Sequence, residues 1–274
     1  MNNILTIAVS TVSDNFDDLM SYIIDVQNRL PEGVIFLVVS QLENSDSYEC
    51  IDGIDVFKTS DKGLSKSRNL AVRKCNSEWL WFQDDDISIV TDKMESFVEF
   101  LRGYGGDVSL VKVASLEEPS QDFKDYKRYR VNKYFLPFRV SSIEIVVRLA
   151  FIKKANVWFD ENLGLGTDLP SCEENLFFYD LVVRNKSRHI FYDKAICLHT
   201  KEHIIRNIDY GGRYRARGYL LGNIGYINAL FLMTWWAFRK TTDGVPIRRR
   251  LSLMLGEFFK VIGREYSKRD REAV

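Results

Sequence analysis

Continuous apolar runs alternate with helix-spaced segments over the first 115 positions. ILTIAVST (4–11), GVIFLVVS (33–40), IDVFKTS (54–60), WLWFQ (79–83) and DVSLVKVAS (107–115) read as buried strands, rich in β-branched and aromatic residues. Between the first two, NFDDLMSYIIDVQNRL (15–30) spaces Phe16, Leu19, Met20, Ile23, Ile24 and Leu30 as one helical face, and Pro31 ends it. GLSKSRNLAVRKC (63–75) reads as a short helix opened by Gly63 and Ser65, and residues 93–104 as another. Strands without polar alternation, separated by helices, predict a mostly parallel sheet covered on both faces. From about 120 to 140 the chain turns polar, aromatic and basic (QDFKDYKRYRVNKYFLPFRV), which reads either as a mobile excursion over a site or as a solvated loop.

Composition narrows the function classes. The chain has 274 residues, 46% of them hydrophobic, enough for one large domain or two small ones. Lys+Arg and Asp+Glu both number 38, which argues against a dedicated nucleic-acid binder. Cys50, Cys75, Cys172 and Cys197 form no CxxC pair, so a zinc ribbon is not expected. The opening MNNILTIAVSTVSDNF lacks a basic n-region and reads as a first strand, not a leader, so a reducing cytoplasm is the expectation.

The candidate chemistry starts at WLWFQDDDISIV (79–90), where a core-like strand ends in Asp84, Asp85 and Asp86. Adjacent carboxylates repel and are costly to desolvate. In an open parallel sheet, ligands bind beyond the carboxyl ends of the strands. A hard divalent cation, Mg²⁺ or Mn²⁺, held there with substrate phosphates would make three acids tolerable; a solvated acidic turn capping a helix is the plainer explanation. Lys62, Lys66, Arg68 and Asn69 lie just upstream, where they suit a diphosphate and its sugar or simply a basic surface helix. ENLGLGTD (161–168) carries two glycines that would allow close approach to a sugar, but no GxGxxG follows the first strand. Glu173 and Glu174 open a further helical segment, where the helix dipole alone would favour acids.

KGLSKSRNLAVRKCNSEWLWFQDDDI resembles the core pattern of glycosyltransferase family two: glycine, a small residue and Arg-Asn on a helix, then a hydrophobic strand ending in Asp-x-Asp. FDENLGLGTDLPSCEENLFFYDLV (159–182) resembles the family's second signature, and ICLHT (196–200) its third, a strand ending in histidine. In order and spacing the resemblance fits across roughly residues 4–203. The resemblance implies a GT-A (Rossmann-like) α/β fold, a mostly parallel central sheet flanked by helices with a C-terminal helical extension. It implies a GT-A catalytic domain over 1–203, with a nucleotide-sugar-binding half (1–115) and an acceptor-binding half (116–203), followed by a helical region at 204–274. It further implies a nucleotide-sugar donor, UDP-linked in most members, a need for Mn²⁺ or Mg²⁺, and inversion at the anomeric centre. By the match, Asp86 ligates the metal, Asp84 contacts the ribose or sugar side and counts among the metal ligands, Asp85 fills the variable middle position, and His199 completes the metal or diphosphate site, with His203 as its competitor. Thr11, Gln41, Lys62, Gly63, Ser65, Arg68 and Asn69 become donor-binding candidates. The family usually writes Glu-Asp where this chain has Glu173–Glu174, with the second residue as base; Glu174 takes that role here and Glu173 holds an acceptor hydroxyl or exchanges with it. Where the family often carries Asp-Asp-Gly-Ser after the second strand, VVSQLENSD (38–46) puts Ser40 or Gln41 near the base.

The last seventy residues lie outside the resemblance. GYLLGNIGYINALFLMTWWAF (218–238) is uncharged, flanked by Arg213, Arg215 and Arg217 and by Arg239 and Lys240, and followed by a basic amphipathic segment at 247–269. These features read as a membrane-surface attachment, with Trp235 and Trp236 at headgroup level and Arg248, Arg249 and Arg250 meeting anionic lipid, as a buried helical hairpin packed on the catalytic domain, or as a helix just long enough to span a bilayer. The resulting expectation is a cytoplasmic enzyme, peripheral on the inner face of the cell membrane, that moves sugar to a glycan or lipid-linked glycan in bacterial capsule or O-antigen synthesis. A nucleotidyltransferase, or a membrane-peripheral sugar-binding protein without catalysis, are the rival readings.

Overall fold

The computed structural model describes residues 3–12, 16–41, 46–86, 88–130, 134–200, 209–239 and 243–272. In chain order, β1 (Leu5–Thr11), α1 (Phe16–Gln27), β2 (Val34–Ser40), β3 (Ser47–Ile51), β4 (Ile54–Lys58), α2 (Leu64–Lys74) and β5 (Trp79–Asp84) build the first half. β6 (Ser88–Ile89), α3 (Met94–Gly103), β7 (Val108–Ser115), β8 (Ile145–Arg148), α4 (Leu149–Ala155), α5 (Glu173–Tyr179) and β9 (His189–His199) build the second. All nine strands join one sheet in the order β3-β4-β2-β1-β5-β8-β7-β9-β6.

The parallel expectation holds for β4, β2, β1 and β5. Beyond β5 the sheet is mixed: β8 runs antiparallel to both β5 and β7, while β7 and β9 are parallel. Alternation along each strand separates two cores. Leu5, Ile7, Val9, Trp79 and Trp81 face α1 and α3, whereas Ala8, Leu80 and Phe82 face α2 and α5.

The aromatic excursion is anchored where the structure describes it. Glu144, fully buried beside β8, accepts hydrogen bonds from Tyr126 (2.8 Å) and Tyr129 (2.7 Å) and pairs with Lys124 at 2.8 Å. A buried carboxylate demands such partners, and here they fasten the segment to the sheet; residues 131–133 lie outside the description.

The C-terminal region forms α6 (Tyr210–Ile224), α7 (Tyr226–Phe238) and α8 (Ile247–Glu272). The uncharged stretch is therefore two helices, broken at Gly225 with φ 98°. Its glycines serve helix packing. A Cβ at Gly218 would stand 2.2 Å from the Met254 carbonyl oxygen, and one at Gly222 2.7 Å from the Val261 Cβ, so α6 and α8 meet backbone to backbone. Leu220, Leu221, Leu232 and Met233 join Met254 and Phe258 in a third core that also takes in Leu163, Leu169 and Leu176 beside α5. Among the described residues no helix is long and apolar enough to cross a membrane. Two sequence expectations need correction. Trp236 is buried and packs on Phe138. Arg250 is buried as well: it pairs with Asp243 at 2.9 Å and donates to the carbonyls of Ala237 and Arg239, closing the end of α7.

Candidate active site

Parallel pairing brings three strand ends to one edge: Thr11 sits opposite Ser40, and Ser10 opposite Asp84. A cavity of about 570 Å³ opens above them. Thr11, Gln41, Lys62, Gly63, Asp84, Asp85 and Asp86, all among the candidates named from the sequence, line it. Ser10, Val12, Leu64, Leu165 and Gly166 were missed. Val12 and Leu165 are large apolar side chains left mostly exposed at this site, a feature that only the folded geometry reveals.

The wall is built from two glycine-bearing loops. The Gly63 N–H donates to Gln41 Oε1 at 2.6 Å, Leu64 N–H donates to the Leu165 carbonyl at 3.0 Å, and Ser65 donates to the Leu163 carbonyl at 2.6 Å. Gly166 has φ +87°, and a Cβ there would press within 3.2 Å of Gly63 Cα. The close approach that the glycines permit is thus to the opposing loop. Ser65 is buried in that junction and does not line the cavity.

Arg68 and Asn69 likewise turn inward. Asn69 accepts from Phe159 N–H (2.9 Å) and donates to the Phe159 carbonyl (2.9 Å) and to Glu161 (3.0 Å), which fastens the loop before the acid pair to α2. Arg68 is fully enclosed. It pairs with Asp84 at 3.0 Å through one nitrogen and with Glu173 at 3.0 Å through the other, and it donates to Ser142 at 2.8 Å. Burial alone would lower its pKa; the carboxylates of Asp84, Glu173 and Glu174 outweigh that and raise it. This guanidinium joins the cavity to the acid pair, which stands outside the cavity wall.

Glu173 is committed to Arg68. Glu174 is pushed up to about 8, first by burial and then by the neighbouring Glu173 carboxylate, against the pull of Arg68. A carboxyl poised near neutrality is suited to proton transfer.

At the other side, the Thr11 hydroxyl donates to Asp85 Oδ2 at 2.6 Å. Asp86 is held up by partial burial and by Asp84 and Asp85, against the opposing influence of His199. His199 Nδ1 lies 2.7 Å from the Thr200 carbonyl, which can only accept, so Nδ1 carries the proton. In that tautomer Nε2 presents a lone pair to Asp86 Oδ1, 3.5 Å away. Two acceptors face one another, and a cation between them would resolve the conflict. The donor set, one carboxylate and one imidazole, fits Mn²⁺ or Mg²⁺ if ligand oxygens fill the remaining positions. No group of three or more metal-binding side chains converges among the described residues, and Asp84 is drawn toward Arg68. His203 lies outside the described residues.

Residues 44–156 match the family model described as Glycosyl transferase family 2. That span includes Lys62–Asp86 and stops before Glu173, Glu174 and His199. No curated protein matches the chain. Among solved structures, S. aureus TarS 1–349 in complex with UDP-GlcNAc is 17% identical with a TM-score of 0.68, covering 94% of this chain and 81% of that one. The mannosyltransferase PcManGT from Pyrobaculum calidifontis, in complex with GDP-Man and Mn²⁺, is 12% identical with a TM-score of 0.52, covering 97% of this chain and 76% of that one. At these identities the two structures share the fold. Over residues 44–156 the chain is similar to the family 2 glycosyltransferases, and the solved structures share its fold.

Proposed function

We propose that the chain transfers a sugar, with inversion, from a nucleotide-sugar bound above β1, β2 and β5 to a hydroxyl of a glycan acceptor. The observation that carries this reading is the link made by Arg68 between the acid-lined cavity and the Glu173–Glu174 pair. Structures of this fold are known with UDP-GlcNAc and with GDP-Man, which supports a nucleoside diphosphate as leaving group.

A uridine donor suits Gln41. Its Oε1 is taken by the Gly63 N–H, so its amide NH₂ is left to donate, and a uracil ring presents carbonyl acceptors. Lys62, exposed at the cavity, offers a cation to a phosphate. Asp86 and His199 would hold Mn²⁺ or Mg²⁺, with Asp84 on the Arg68 side. When bound, the ion supplies Lewis-acid stabilisation of the departing diphosphate. Arg68 orients Glu173. Glu174 accepts the proton of the attacking hydroxyl. Lipid-linked glycans at the cytoplasmic membrane face, of the kind used in bacterial surface polysaccharide, are the acceptor class this reading favours.

The test is ligand-induced stabilisation. UDP with Mn²⁺ at a hundredfold over Kd should add about 2.7 kcal/mol to the wild-type chain and almost nothing to Asp86→Ala. An Asp86→Ala protein stabilised as much as the wild type would sink the assignment of this cavity.

A further inference from the structure

The third core leaves one face of α7 uncovered. Leu230, Phe231, Trp235 and Phe238 are between 44% and 64% exposed, while Ala229, Leu232, Met233, Trp236 and Ala237 on the opposite face are buried. Phe135, 45% exposed on the turn before β8, meets Phe231 edge to face at 6.4 Å. Between them runs a groove of about 250 Å³, lined also by Arg139. Arg250 draws the first turn of α8 against the end of α7, which brings exposed Ile247, Arg248 and Arg249 to the same corner. Exposed apolar surface gathered this way marks an interaction site.

Charge identifies the occupant. Arg139, Arg239, Arg248 and Arg249 have no carboxylate within ion-pair distance among the described residues. Asp243 is the sole acid in the sequence between Asp209 and Glu257, and Arg250 neutralises it. Arg239 lies over the Trp235 ring at 5.6 Å, leaving a cation beside an aromatic plane. A second copy using the same patch would bring arginines against arginines, since a two-fold interface is self-complementary. α7 has 13 residues, about 20 Å at 1.5 Å per residue, too short to cross a bilayer and long enough to lie along one.

We infer that this corner, built from the turn at Phe135–Arg139, the open face of α7 and the first turn of α8, docks the enzyme on an anionic lipid surface. The aromatic side chains enter the headgroup boundary and the unpaired arginines meet lipid phosphates. The inference does not depend on which donor the cavity takes, and it is tested without donor present.

The experiment is co-sedimentation of the full chain with vesicles of phosphatidylcholine alone or with roughly one third phosphatidylglycerol, whose negative surface potential attracts basic side chains. The wild type should bind the anionic vesicles at least about tenfold more tightly, with binding that falls as salt rises. Phe231→Ser with Trp235→Ser should lower binding about tenfold or more at every salt concentration, since apolar contact is lost. Arg248→Gln with Arg249→Gln should lower it chiefly at low salt and flatten the salt dependence. Melting temperatures equal to the wild type's establish that the variants are folded, as exposed positions should allow. Folded variants that bind as the wild type does would overturn the inference. So would a wild type that ignores anionic vesicles, or a Phe231→Ser/Trp235→Ser protein that changes only its oligomeric state. Donor binding by the cavity is read separately, so failure here leaves that assignment standing.

Discussion

Glu174→Gln should lower turnover by about 10²–10⁴-fold while affinity for UDP stays nearly unchanged. The substitution keeps the size of the side chain and removes only its capacity to take a proton. Glu173 cannot replace it without leaving Arg68, whose guanidinium holds it at 3.0 Å. The same geometry sets a pH signature. Glu174 must be ionised to act as base, and burial beside Glu173 pushes it up to about 8. Wild-type kcat/KM should therefore rise with pH toward a limb near 8. Stability should move in the opposite sense. The folded chain keeps a proton at Glu174 that the unfolded chain releases near 4.5, so this group's contribution is full below that value and is lost as pH rises through about 8. Thermal melts from pH 5 to 9 should show a shallower decline for Glu174→Gln than for the wild type. An active Glu174→Gln with an unaltered pH profile would remove Glu174 from the mechanism and point to Glu173.

Arg68→Met should be the most destabilising single change at the site. It strands Asp84 and the buried Glu173 without their shared counter-charge and orphans Ser142. Removing one partner of a buried pair costs about 3–5 kcal/mol, or roughly 6–20 °C in Tm for a chain of this size class. Arg68→Lys keeps the charge but cannot span two carboxylates and a hydroxyl at once, because a point ammonium lacks the planar fork; it should melt between the two. Adding Glu173→Gln to Arg68→Met should recover part of the loss, since it removes the stranded charge. An Arg68→Met protein that melts with the wild type would mean that the link between the cavity and the acid pair carries no energy.

The parallel half of the sheet was legible because its strands are buried on both faces and read as unbroken apolar runs. Asp84–Asp86 stood out for the same reason: acids ending such a run need a purpose. In the mixed half β7 and the end of β9 were legible as strands, but β8 and the antiparallel pairing were not. β8 is four residues long and passes directly into α4, so IVVRLAFI carries no boundary signal. Arg68 illustrates a limit of local reading. Its place on a helix before the acidic strand was visible, but its partner Glu173 lies 105 residues away, and only the fold shows that the side chain turns inward. Asn69 and Ser65 follow the same pattern. The three arginines at 248–250 show a limit of composition. Successive helical positions lie about 100° apart, so a run of three cannot face one surface, and Arg250 is the one that points inward.

In the proposed reaction the strand-end cavity holds the donor through Asp86 and His199. A crystal structure of this chain with UDP and Mn²⁺ tests it most directly. The uracil is expected beside Gln41, the diphosphate near Lys62, and the ion between Asp86 and His199. UDP bound elsewhere on the chain, or in this cavity with the ion away from Asp86 and His199, would contradict it.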